Sequence, residues 1–95
     1  MVIGILEMIL YLPESHSLKE KRQVIKSIKD KVRNRFNVAV AEVDDQDLWQ
    51  KARLGICGLG NDRRQVNGQL DQVANFVERL HLASDIDVHL ELMDY

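Results

Sequence analysis

Lys19, Arg22, Lys26, Lys29 and Arg33 recur at three- and four-residue intervals, a rhythm of cations that can grip a row of phosphates. On a helix turning about 100° per residue, the five fall within an arc of roughly 80°. At a rise of about 1.5 Å per residue they form a line about 20 Å long. Residues 17–36 carry eight Lys/Arg against two Asp/Glu, while the other 75 residues carry five against thirteen. A whole-chain charge of −2 hides this separation. Adjacent like charges on one helix face each cost roughly 0.2–0.5 kcal/mol, so the row calls for a counter-charge. Either a polyanion supplies it, or the face is solvated and neutralised by acidic residues of this chain or of a second subunit. Asp44, Asp45 and Asp47 are candidates for the second role.

Lys21 projects into the apolar arc of the same helix. Its stem can lie along the core with the ammonium reaching water. Alternatively, with Lys19 and Arg22, it holds an anion at the helix N-terminus.

Other chemistries find little support. The run Asp44–Asp47 lacks the glycine and distal glutamate of a calcium loop. His16, His81 and His89 have no metal-ligand spacing, and a single cysteine, Cys57, excludes an internal disulfide or thiolate cluster. Cys57 reads as a small buried hydrophobe, and Ser17 as a helix cap rather than a nucleophile. No glycine-rich loop leads into a helix with a lysine, so no nucleotide site is indicated. Base reading on an open sheet needs exposed aromatics, and only Tyr11 is placed for it. Trp49, after the acidic run, reads as a core or edge anchor more readily than as a partner contact. No enzyme, cofactor, metal or small-molecule substrate is expected.

The elements that position these residues follow from periodicity. Val2 to Leu12 is apolar on both faces, as a central strand is, and Pro13 ends it. Ser17 with Glu20 three residues on forms a capping box. The helix it opens buries Leu18, Val24, Ile25, Ile28, Val32 and Phe36. Val38–Val43 and Ala52–Leu59 read as strands, the latter weakened by Gly55 and Gly58. Asn61-Asp62 caps a second helix with Val66, Leu70, Val73, Ala74, Val77 and Leu80 on its apolar face. Ile86, Val88, Leu90 and Leu92 alternate with Asp87, His89 and Glu91, a strand with one wet face.

The order β-α-β-β-α-β predicts an α/β sandwich of the ferredoxin-like kind. Its four-stranded antiparallel sheet has order 4-1-3-2, with both helices on one side. Ninety-five residues make one such domain, 1–95. Glu7 marks the Ile3/Ile5/Ile9 face as the one turned away from the helices, and an exposed apolar patch there suits a homodimer interface. No apolar run reaches the roughly 20 residues that span a membrane. The first twelve residues lack the basic flank of a signal peptide. With one cysteine, a cytoplasmic location is expected.

Leu12-Pro13 followed by Ser17-Leu18-Lys19-Glu20-Lys21-Arg22 resembles the signature of the YlxP-like family, small bacterial proteins of unassigned function. Arg35-Phe36-Asn37-Val38, Ala41-Glu42-Val43, Gln46-Asp47-Leu48-Trp49-Gln50, Leu54-Gly55 and Asn61-Asp62 extend the likeness over nearly the whole chain. Gly58 and Gly60 depart from it, standing where bulkier strand residues are expected. The resemblance implies a ferredoxin-like fold. It also implies a ribosome-associated role, because genes of such proteins lie among translation genes. Two functions are therefore expected. One is contact with structured, ribosomal RNA through Lys19, Lys21, Arg22, Lys26, Lys29 and Arg33. The other is a homodimeric adaptor joined through Ile3, Ile5 and Ile9, its basic helix meeting an acidic protein.

Overall fold

The computed structural model describes all 95 residues. The elements are β1 (Val2–Tyr11), α1 (Leu18–Arg35), β2 (Ala39–Asp44), β3 (Lys51–Gly60), α2 (Arg63–Arg79) and β4 (Asp85–Asp94). The sheet order is β2-β3-β1-β4 and every pair is antiparallel, the expected ferredoxin-like topology. β1 is central because it is the strand with two apolar faces. Its inner residues Leu6, Met8 and Leu10 are wholly buried.

Capping sets where the helices begin. The Ser17 hydroxyl accepts from the Glu20 amide at 3.1 Å. The Glu20 carboxylate closes the box one residue earlier than usual, accepting from the His16 amide at 2.7 Å. The Asp62 carboxylate accepts from the amides of Arg64 and Gln65 at 2.8 and 3.3 Å. Ile25, Ile28 and Val32 of α1 and Val66, Leu70, Val73 and Val77 of α2 then close over the sheet.

The glycines out of pattern in β1 and β3 seat the second helix. Gly4 and Gly58 are cross-strand partners, and Leu70 lies over them. A Cβ on Gly4 would stand 2.5 Å from Leu70 Cδ1 and 2.6 Å from Val66 Cγ1. Gly4→Ala is expected to destabilise the fold by about 1–3 kcal/mol through overpacking. A lowered urea midpoint with unchanged slope reports it.

Three sequence expectations need correction. Cys57 is not in the core: in β3 the buried residues are Ala52, Leu54, Ile56 and Gly58, which turns Cys57 to the opposite, helix-free face. Trp49 is no anchor, standing 53% exposed in the β2–β3 turn beside exposed Leu48. The second strand runs one residue later than expected, with a bulge between Glu42 and Asp44.

Candidate functional site: the basic flank of α1

α1 runs antiparallel to β2, and its side chains show the pairing. Near its C-terminal end, Arg33 Nη2 donates to the Val40 carbonyl of β2 at 2.6 Å. Near its N-terminal end, Lys21 Nζ meets Glu42 Oε2 at 2.9 Å and donates to the Asp45 carbonyl. Because β2 is an edge strand, the flank of α1 that carries Arg33 overlooks the free edge of the sheet. The opposite flank faces α2, where Arg35 lies over the Phe76 ring at 5.2 Å and Phe36 meets the same ring edge-on at 5.6 Å.

Lys19, Arg22, Lys26 and Arg33 are exposed and Lys29 is half-buried. Of the five, only Lys26 forms an ion pair, with Asp30 at 2.8 Å, one turn along the helix. That hydrogen bond, foremost, holds the Asp30 carboxyl below its ordinary value, with the charges of Lys26, Arg33 and Lys29 adding to it. Both partners are well exposed, so the pair is screened and weak.

The acidic turn does not neutralise the row. Asp44 accepts from the amide of Asp45. The Asp45 carboxylate lies 3.8 Å from Lys51 Nζ and 3.9 Å from Arg53 Nε, both on β3. Asp45 takes a left-handed φ of 64°, a conformation its short polar side chain tolerates. The positive potential along the β2 side of α1 is thus matched, within the chain, by Asp30 alone.

Lys21 does not join the row, contrary to the expectation that it grips an anion. It is 1% exposed, among the same apolar positions as Ile25, Ile28 and Val32. Its ammonium is spent inside the protein, fastening α1 to the end of β2 and to the turn beyond. The sequence carries a partial signal for this. Lys21 lies four residues before Ile25 on the buried stripe, and Glu42 has the parity of the buried Val40.

Ile3, Ile5 and Ile9 share the helix-free sheet face with Glu7 and Tyr11. Ile5 is 39% exposed and the other two isoleucines are half-buried. Sequence reasoning missed two larger contributors to that face. Leu59 and Met93, which flank Ile3 in the register, are 63% and 41% exposed. On the same face the Tyr11 hydroxyl donates to Asp87 at 3.1 Å. That bond, chiefly, raises the phenol above its ordinary 10.0, with desolvation and the charges of Asp87 and Asp85 acting the same way. What Tyr11 contributes to stability is therefore present below its unfolded value and lost as pH rises through the raised one. Asp87→Ala is expected to bring the titration back towards 10.0, read by phenolate absorbance in a Tyr95→Phe background.

No three His, Cys, Asp or Glu side chains come together in a way that could hold a metal. No helix is long and apolar enough to cross a membrane. A cleft of about 280 Å³ opens between the β1–α1 and α2–β4 loops, over Leu12, Val24 and Ala83. It brings Glu14, Glu20 and His81 to its rim, and the Ser15 and Ser84 hydroxyls that also line it donate to the carbonyls of Ser17 and Tyr11.

Residues 3–90 match the family described as "Protein of unknown function (DUF503)". The "Uncharacterized protein YlxP" of Bacillus subtilis (strain 168) is 38% identical over 77 residues, which is 81% of this chain and 84% of that protein. Among solved structures, the de novo designed protein Foldit4 is 14% identical with a TM-score of 0.55, covering 99% of this chain and 97% of that one. An antibiotic biosynthesis monooxygenase is 13% identical with a TM-score of 0.49 over 98% and 97% of the two chains. At such identity the likeness to the designed protein speaks to the fold alone, and the likeness to the monooxygenase carries no argument.

Proposed function

The chain belongs to the family described as a protein of unknown function (DUF503), and we propose that it is a non-enzymatic binding protein that contacts structured RNA. The contact surface is the β2-side flank of α1, with Lys19, Arg22, Lys26, Lys29 and Arg33 as phosphate ligands. The observation that supports this reading is that four of the five lack an internal ion pair, although the rest of the chain is acidic. A line of cations about 20 Å long, four of the five without an ion pair, matches the repeat of a phosphate backbone better than an isolated ligand. Ribosomal RNA is the partner class this reading favours, because the resemblance to YlxP-like proteins points to translation.

None of the five residues offers a planar amide for base edges, and a lysine- and arginine-lined helix flank positions more than it specifies. Affinity is therefore expected to depend on folded shape and charge, with little regard for sequence. Fluorescence anisotropy with a labelled RNA stem-loop and with a second stem-loop of permuted sequence tests this. The reading expects dissociation constants within a few-fold of each other. Absence of binding to either at low salt would remove it.

A further inference from the structure

The helix-free face of the sheet carries a charge pattern that is complementary to itself. In its outward positions β4 presents Asp85, Asp87, His89, Glu91 and Met93, all exposed; Asp85 and Asp87 form its acidic end, while Glu91 is met by His89 at 3.0 Å. β3 presents Lys51 and Arg53. Between them β1 presents Ile3, Ile5 and Ile9 around a single charge, Glu7. The register aligns these columns: Arg53 and Asp87 both flank Ile9, and Lys51 and Asp85 both flank Tyr11. At the other end Leu59 and Met93 both flank Ile3.

We propose that two copies of this chain pair through that face about a two-fold axis lying parallel to β1. Rotation about that axis lays the β4 column of one copy over the β3 column of the other. Arg53 then meets the partner's Asp87, Lys51 meets the partner's Asp85, and Leu59 meets the partner's Met93. Each copy's β1 isoleucines meet their own counterparts on the axis. A two-fold running across the strands instead sets the acidic β4 column against itself and buries Lys51 and Arg53 against apolar residues, so charge selects the first axis. One like-charge contact remains, Glu7 with its counterpart, and each Glu7 brings its own counter-ion, Arg53 Nη1 at 3.4 Å.

The face is the size of a weak, reversible interface. About an axis along β1 the ten-residue strands β3, β1 and β4 overlap, and at about 3.3 Å per residue and about 4.8 Å between strands they give on the order of 480 Å² per copy, or about 950 Å² in total. No helix of the chain covers it, and it holds Ile5, Leu59 and Met93 at 39%, 63% and 41% exposure. The pairing is independent of the RNA reading. Both α1 flanks stay on the outside of the dimer, because the helices lie on the opposite side of each sheet.

Sedimentation equilibrium at high micromolar concentration gives twice the 11.0 kDa chain mass if the proposal holds, and the single-chain mass overturns it. The axis is tested by charge reversal. Arg53→Asp and Asp87→Arg each place like charges opposite one another twice, and each is expected to weaken dimerisation by roughly 100-fold or more. Mixing the two variants restores opposite charges at both contacts, so the mixture re-forms dimer. Within one chain Arg53 and Asp87 stand two strand spacings apart, about 10 Å, so an internal pair cannot mimic the rescue. Variants that still dimerise alone, or that stay monomeric when mixed, overturn the axis. Circular dichroism checks folding, and if Arg53→Asp does not fold, Lys51→Glu with Asp85→Lys decides by the same mixing test.

Discussion

Lys26→Glu/Arg33→Glu is expected to lose roughly 30-fold or more of its affinity for structured RNA at about 0.1 M salt. Each neutralised phosphate is worth roughly 0.8 of a decade at that concentration, and two contacts are removed and replaced by repulsion. Lys26 is exposed, and its pair with Asp30 is screened by solvent and weak, so the fold should survive. Arg33 gives up its bond to the Val40 carbonyl, which water at the sheet edge can replace. The control is Lys31→Glu/Arg79→Glu, which changes net charge equally but at exposed positions outside the row. Equal losses in the two variants would reduce the proposed contact to a non-specific effect of overall charge.

The second large effect is on stability. Lys21→Met is expected to lower the unfolding free energy by about 3 kcal/mol. Removing one partner of a buried ion pair typically costs about 3–5 kcal/mol, and Glu42, 17% exposed, keeps enough access to water to hold the loss at the lower end. Against a total of about 5–15 kcal/mol for a domain of this kind, that is a substantial fraction. The double variant Lys21→Met/Glu42→Leu is expected to recover most of the loss, because neither side chain then leaves a charge buried. Urea unfolding of the single and double variants measures both. Lys21 also holds the carbonyl of Asp45, so its loss should loosen the turn that carries Trp49. The only tryptophan of the chain reports that turn through its emission.

Much of the fold was legible because each of its signals is local. Ser17 and Glu20 fix the start of α1, Asp62 fixes the start of α2, and two-sided apolarity makes β1 central. The order of elements then leaves one simple packing, the one found. The misreadings of Lys21 and Trp49 share a different cause, since each depended on what another segment does. Lys21 sits on the buried stripe, but its fate depended on whether an inward carboxylate would reach it from β2. Trp49 was expected to be covered, yet the turn that carries it is tied down by Gln50, which donates to the carbonyls of Pro13 and Ser15, and by Lys21. The indole is therefore not needed to hold the turn. Cys57 was legible after all: its parity is opposite to that of Ala52, Leu54 and Ile56, which turns it outward, and its apolar type misled.

The site divides in the same way. The clustering of Lys19, Arg22, Lys26, Lys29 and Arg33 on one flank follows from helical spacing alone. That the flank overlooks a free sheet edge, and that Asp44 and Asp45 turn elsewhere, required the tertiary structure.

The salt dependence of RNA binding by the unmodified chain tests the central claim most directly. If all five side chains neutralise phosphates, the logarithm of the association constant falls against the logarithm of salt concentration with a slope of about −3.5 to −4.5. A slope near zero contradicts the account, because binding that releases no counterions does not run through that row of cations.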